Sequence, residues 1–190
     1  FYYPELINNL TTARSPQIHA GGAYKTWWAK KEGIRPEDIV VVSFMPCTSK
    51  KYEARHKKLK INGLSPVDYV LTTREFAVLL KKYKIDLPNL EPSQVDLPGT
   101  YSGAAVIYGA SGGVMESALR TAYYKLVGSE MGEIEFKAVR GFEGFKEAQI
   151  KIGDKVIKLA VVSTAANVKK LIEKIKKDRN LYHYIEVMAC

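Results

Sequence analysis

Val40-Val41-Val42-Ser43-Phe44-Met45-Pro46-Cys47-Thr48-Ser49-Lys50-Lys51-Tyr52-Glu53-Ala54 is the stretch that decides how the chain is read. Its apolar, β-branched opening predicts a buried strand over Ile39 to Met45. Pro46 ends that strand, because it has no amide hydrogen to give to a ladder. Cys47, one of only 2 cysteines, follows at once. The next run is helix-like, and Lys50 and Glu53, three apart, share a face of it. A thiol, an ammonium and a carboxylate therefore gather at the carboxyl end of a strand. Open α/β sheets place their ligands there.

The last residues echo the pattern. Tyr182-His183-Tyr184-Ile185-Glu186-Val187-Met188-Ala189-Cys190 is again strand-like, and again a cysteine stands two residues after a methionine. Two soft sulfur ligands in matching settings suit a shared metal centre. Two unrelated buried thiols are the commoner reason for such a pattern. A thiolate-held cluster takes about four cysteines, so these residues alone leave both readings open.

Composition narrows the class. A hydrophobic fraction of 46% with 11% aromatics is that of a globular protein. At 190 residues the chain makes one domain or two small lobes. No run approaches the roughly 20 apolar residues of a membrane span, and no signal peptide is expected. Phe1-Tyr2-Tyr3 at the start and Cys190 at the end read as cut from something longer. Two cysteines far apart make no disulfide framework and fit a reducing, cytoplasmic setting. The net charge of +9 is spread over helix-like segments such as Lys169-Lys170, Lys174 and Lys176-Lys177. That is a solvated helix face, which would also steer an acidic redox partner. No RNP, KH or helix-turn-helix pattern supports nucleic-acid binding. Abundant Lys, Glu and Ile point to a thermophilic source.

In order, Tyr3 to Leu10 reads as the tail of a helix, and Thr11 to Gln17 as a loop with a Ser-Pro turn. His19 to Lys31 reads as a helix stopped by Gly33 and Pro36, with Trp27 and Trp28 in the core. Lys50 to Leu59 reads as a basic helix. Val67 to Leu71 is a second strand. Thr72 then caps a helix that has Glu75 in its first turn and runs to Tyr83. Leu87 to Gly99, with its prolines, is a crossover loop and the lobe boundary. Tyr101 to Glu116 is rich in small residues, which allow close backbone approach, but it lacks the spacing of a dinucleotide fingerprint. A helix through Leu119, Ala122, Tyr123 and Leu126 follows, ended by Gly128. Ile134 to Val139 alternates as a strand. Glu147 to Val162 reads as a hairpin turning at Gly153-Asp154. Ser163-Thr164 caps a helix from Ala165 to Lys177. This order is α/β. His19 and His56 read as surface residues and His183 as a strand residue; none has a metal-ligand partner at usable spacing.

Taken together, these motifs resemble the catalytic domain of iron-only ([FeFe]) hydrogenases. Met45-Pro46-Cys47-Thr48-Ser49-Lys50-Lys51-Tyr52-Glu53 resembles that family's second signature, and Glu186-Val187-Met188-Ala189-Cys190 the opening of the third. Tyr2-Tyr3-Pro4-Glu5, Ser15-Pro16-Gln17, Val70-Leu71-Thr72-Thr73-Arg74-Glu75 and Gly112-Gly113-Val114-Met115-Glu116 add to the likeness. It covers nearly the whole chain, 1–190, read as a fragment of that domain. It implies two lobes, 18–99 and 100–182, with small, mainly parallel twisted sheets flanked by helices. A cluster cleft lies between them, with 1–17 and 183–190 at the cleft.

The resemblance implies an H-cluster in the intact protein: a [4Fe-4S] cubane joined through a cysteine to a di-iron subsite. Cys47 and Cys190 would be two of four cubane ligands. Lys50 would hydrogen-bond a cyanide, with Glu53 orienting it. Met45, Pro46 and Met188 would pack around the irons, and Ser15, Pro16 and Gln17 would line the di-iron pocket, with Tyr108 facing it. Thr11, where serine is usual in the family, would take part in the proton relay. The implied reaction is reversible H2 formation from protons and electrons, fed by ferredoxin or another electron carrier in an anaerobe. The first signature and the end of the third are missing, so the fragment is expected to be inactive and free of cluster. Tyr108 stands where Phe is usual, and Ser163-Thr164-Ala165-Ala166-Asn167 where a glycine-bearing turn is common. Two other functions share part of these motifs: a hydrogenase-like iron–sulfur assembly factor, and an H2-sensing protein with an attached signalling domain.

Overall fold

The computed structural model describes residues 2–96, 98–99, 103–135, 137–139 and 143–188, and forms two units, Phe1–Pro92 and Ser93–Cys190. In the first unit, β1 (Val42–Met45) and β2 (Tyr69–Thr72) pair in parallel, with Val42 opposite Tyr69 and Met45 opposite Thr72. Helix α3 (Ser49–Ala54) lies between them in sequence, as a parallel crossover requires. The core beneath the sheet is Ile18, Ala54 and Val67, with Val41, Leu59 and Val70 packed against it. Only one face of the sheet is covered within this unit. Val42 is 41% and Phe44 52% exposed, and Ser43 and Met45 are only partly buried, so the strand expected to be buried is half-covered on one side and open on the other. Phe44 instead meets Phe76 edge to face, with ring centres 4.7 Å apart.

Helix α1 (Pro16–Ala23) continues through a single wide π-type turn, Tyr24–Trp28, into α2 (Ala29–Glu32). Pro16 opens α1, so Ser15-Pro16-Gln17 is a helix start and not the loop the sequence suggested. Gly21 lets α1 approach the chain at Pro66: a Cβ there would stand 2.1 Å from the Pro66 carbonyl oxygen. Lys25, only 6% exposed, donates to the Ser65 carbonyl and to both oxygens of Asp68 at 2.7 to 2.8 Å. Asp68 Oδ2 also accepts the Val41 amide hydrogen (2.8 Å) and so ties the start of β1 to β2. The tryptophans are not core: Trp27 is 58% exposed, and the Lys31 ammonium lies 5.4 and 5.2 Å from the Trp27 and Trp28 ring centres. The basic helix ends at Ala54, and a separate 3-10 turn covers Lys57–Leu59. Helix α4 (Thr73–Lys82) carries the expected cap. Thr72 accepts from the Glu75 amide (3.2 Å), while the Glu75 carboxylate accepts from the Thr72 amide (2.8 Å).

In the second unit a four-stranded sheet has the order β3 (Lys137–Ala138), β4 (Phe145–Ile152), β5 (Lys155–Ser163), β6 (Tyr184–Met188). The hairpin of β4 and β5 turns at Gly153, where φ is +58°, as the Gly-Asp pair predicted. β5 and β6 are parallel, while the β3–β4 and β4–β5 pairs are antiparallel. The expectation of mainly parallel sheets therefore holds for β1–β2 and β5–β6, and the hairpin makes the second sheet mixed. Leu159, Ala160, Val161 and Val162 on β5 are each at most 1% exposed. Successive side chains point to opposite faces. Leu159 and Val161 meet Met115 and Leu119 of α6 (Gly113–Val127), after the short α5 (Gly103–Ile107). Ala160 and Val162 meet Leu171 and Val168 of α7 (Ala165–Lys177). Helices on both faces explain why β5 reads as a continuous apolar run. The strand predicted over Ile134 to Val139 is reduced to β3.

Thr164 sits at the start of α7 with φ +73° and ψ 145°, and its side chain makes no capping bond. The sequence predicted a Ser-Thr cap. The backbone there instead takes a conformation that suits glycine, and it strains a β-branched residue.

Two stability predictions follow from this packing. Leu159→Ala leaves a cavity between α6 and the sheet and should cost about 2–5 kcal/mol in urea unfolding. Thr164→Gly should stabilise the protein. Relief of about 1–3 kcal/mol of strain exceeds the roughly 0.5–1 kcal/mol entropic cost of glycine. A lower melting temperature for Thr164→Gly would contradict this.

Candidate functional site

Pro46 closes β1, and Thr48 precedes α3, so Cys47 stands in the turn between strand and helix. One helical turn on, Lys50 Nζ lies 3.1 Å from Glu53 Oε2, and both side chains are partly buried (30% and 23% exposed). Glu53 Oε2 takes two further donors: the Ser15 hydroxyl at 2.7 Å and the Gln17 side-chain amide at 3.0 Å. The same Gln17 nitrogen also donates to the Lys50 carbonyl (3.1 Å). Ser15 occupies the N-cap position of α1, yet it does not cap the helix. Its hydroxyl goes to the carboxylate, because a charged acceptor makes the stronger bond. Burial alone would push the Glu53 carboxyl up. Hydrogen bonds from Ser15, Lys50 and Gln17, with the nearby ammonium charge, outweigh it and hold the carboxyl below its ordinary value.

Gln17 is 8% exposed. Its nitrogen faces two acceptors, so the amide orientation is settled and Oε1 must face the other way. Oε1 is buried and has no hydrogen-bond partner among the described residues. A buried carbonyl without a donor costs roughly 1–3 kcal/mol, so this acceptor suits a ligand that brings a donor. Cys47 is a free, partly exposed thiol, and its carbonyl accepts the Lys50 amide hydrogen (3.4 Å). The free thiol and the ammonium suit an anionic, sulfur-ligated group, while the Gln17 oxygen calls for a donor. No trio of His, Cys, Asp or Glu able to hold a metal occurs among the described residues.

The other predicted residues take no part in these hydrogen bonds. Met45 is partly buried at the last β1–β2 pair, opposite Thr72, and Pro46 is exposed. Pro16 is exposed at the first position of α1. Thr11 is exposed, and its hydroxyl accepts the Ala13 amide hydrogen (3.2 Å) in a local turn. In the second unit Tyr108 follows α5 and is 37% exposed. Met188 is the last residue of β6, and its carbonyl accepts the Thr164 amide hydrogen (2.9 Å). Cys190 lies outside the described residues.

Sequence reasoning passed over two charged groups. One is the Lys25–Asp68 pair described above. The other is Glu186 on β6, whose two oxygens accept the Gly112 and Met115 amide hydrogens at 2.8 Å each. A signal for it existed: α6 begins at Gly112-Gly113 with no Ser, Thr, Asp or Asn to cap it. Its first amides therefore had to find acceptors elsewhere.

The family model described as iron only hydrogenase large subunit, C-terminal domain, matches residues 1–190. The chain is 45% identical over 190 residues to iron hydrogenase 1 of Clostridium pasteurianum, covering 100% of this chain and 33% of that one. It is 42% identical to the periplasmic [Fe] hydrogenase large subunit of Nitratidesulfovibrio vulgaris, covering 100% and 45%. Cytosolic iron-sulfur assembly component 3 of Pongo abelii is 34% identical, with 97% of this chain and 40% of that one covered. Among solved structures, an apo [FeFe]-hydrogenase of Chlamydomonas reinhardtii, a cysteine-to-histidine variant, superposes with a TM-score of 0.83 at 33% identity. It covers 98% of this chain and 54% of that one. The chain thus spans between a third and about half of the length of these relatives. On a match running through all 190 residues, this chain belongs to the C-terminal domain family of the iron-only hydrogenase large subunit.

Proposed function

We propose that the whole protein is an iron hydrogenase that interconverts protons, electrons and H2, served by ferredoxin or another electron carrier. The observation that carries this reading is the Ser15–Gln17–Lys50–Glu53 cluster beside Cys47. Greater identity to named hydrogenases than to assembly factors, 45% and 42% against 34%, supports it. In this reading Cys47 and Cys190 are two of four cubane ligands. Met45, Pro46 and Met188 border the irons, Ser15, Pro16 and Gln17 line the di-iron pocket, and Tyr108 faces it. When bound, the iron–sulfur and di-iron group supplies the redox chemistry.

The residues of the chain then do three things. Cys47 binds as thiolate. The Lys50 ammonium gives a charge-assisted hydrogen bond to an anionic ligand. Glu53, kept ionised, holds Lys50 in place. Because it stays charged, Glu53 is an anchor for the ammonium and not a proton carrier near neutral pH. Thr11 retains a hydroxyl able to pass a proton. A polypeptide of residues 1–190 alone has 2 cysteines, short of the four a cubane needs, and is expected to be inactive. The cytoplasm is the proposed compartment on cysteine usage. No helix among the described residues is long and apolar enough to cross a membrane. Fractionation tests the compartment, since one relative is named periplasmic.

The assembly-factor reading keeps one argument of its own, the 34% identity spread over 97% of the chain. The test separates the two. In the full-length protein, Lys50→Ala should lose the infrared bands of iron-bound cyanide and carbon monoxide and most H2 evolution, while the cubane signal persists. Normal bands and parental H2 evolution in that variant would show that Lys50 has no such role. A parental protein with a cubane and no di-iron bands under maturing conditions would favour the assembly factor.

Glu53 gives a pH expectation. Its folded value is depressed, so the stabilisation it brings is present above the unfolded value near 4.5 and is lost as pH falls through the folded value. Ser15→Ala removes one of the bonds that lower it. The acid limb of the stability curve should then move to higher pH, and an unmoved limb would contradict the bonding described here.

A further inference from the structure

We propose that Glu186 is a positioning residue that sets where β6 ends at Met188, two residues before Cys190 in the sequence. The proposal rests on the reading of Cys190 as a cluster ligand. Glu186 and Met188 are two apart on one strand and therefore share a face. Both oxygens of Glu186 are committed, one to the Gly112 amide and one to the Met115 amide, at 2.8 Å each. The acceptor lies 71 to 74 residues from its donors, so the contact joins the end of β6 to the start of α6 and is no local cap.

The glycines make the contact possible. Gly112 has φ +95°, which L side chains rarely adopt. A Cβ on Gly113 would stand 1.6 Å from the Ile107 carbonyl oxygen. Only this tight turn presents the first amides of a 15-residue helix to the strand. The positive end of the helix dipole then favours a carboxylate over a neutral acceptor. On the other side of the strand end, the Thr164 amide holds the Met188 carbonyl (2.9 Å), at a backbone angle strained for threonine. Met115, the donor residue, is fully buried under the sheet, so the anchor is rigid. Two stretches, Gly112 to Glu116 and Glu186 to Met188, thus form one lock. The last strand residues before Cys190 are held by it and not by ladder bonds alone.

The test uses the full-length protein, reconstituted with iron and sulfide. Glu186→Gln keeps the size but offers one carbonyl and one NH2 to two amide donors, so one donor goes unpaired. Groups that hold metal ligands in place typically cost about 10- to 100-fold in metal affinity when removed. The expected result is at least about tenfold weaker iron retention against a chelator, together with a shifted paramagnetic resonance spectrum of the reduced cubane. Glu147→Ala, which removes the Tyr182 hydroxyl's partner on the same sheet, should lower the melting temperature and leave that spectrum unchanged. If Glu186→Gln does not fold, Glu186→Asp, which keeps the charge but withdraws the oxygens by one methylene, is read the same way. A parental spectrum and parental iron retention in the Glu186 variant overturn the proposal alone. A parental protein that forms no cubane overturns the reading of Cys190, and this proposal with it.

Discussion

A carboxylate drawn out of water must be met by donors, and three such groups govern the junctions of this molecule. Asp68 takes the buried Lys25 ammonium and the Val41 amide, and so joins the π-turn to the start of β1. Glu53 takes Ser15, Gln17 and Lys50, and so joins the start of α1 to α3. Glu186 takes the first amides of α6. In each case a charge links elements that apolar packing alone would leave free to slide. Packing is non-directional, whereas a hydrogen bond to an ionised group fixes distance and angle.

The two units use this device differently. The first has a two-stranded sheet with one covered face and a small core of Ile18, Ala54 and Val67. Its polar cluster is accordingly a large part of what orders the turn around Cys47. The second has a four-stranded sheet with helices on both faces, and β5 is sealed from water along Leu159 to Val162. There the carboxylate refines the end of an already rigid strand. A site made on such supports is preorganised, because its polar groups pay little to reorient when a ligand arrives.

Much of the site was legible because its residues are close in sequence. Lys50 and Glu53 are one turn apart, and their pairing follows from helix geometry. Cys47 had to stand at a strand end because Pro46 follows an apolar β-branched run. Ser15 and Gln17 were legible only through family likeness, since nothing local reveals a bond to a carboxylate 36 to 38 residues away. Family likeness implied a pocket lining; the structure shows bonds to Glu53. Trp27 and Trp28 misled the reading for a related reason. Aromatic bulk suggests a core, but the helical face they occupy meets Lys31 and water.

The sequence by itself determined the elements whose causes are local: the Thr72–Glu75 capping box, the Gly153 turn, the glycine ends at Gly33 and Gly128, and the apolar run of β5. Each is a contest among neighbours within one or two turns of chain, so spacing decides it. Tertiary structure alone decided which strand face stays open, which tryptophan is wet, why Thr164 bears a strained backbone, and where Glu186 finds its donors. Those outcomes depend on groups dozens of residues apart meeting in space. No local pattern of residue types encodes such a meeting, because any of many distant donors could have satisfied the same charge.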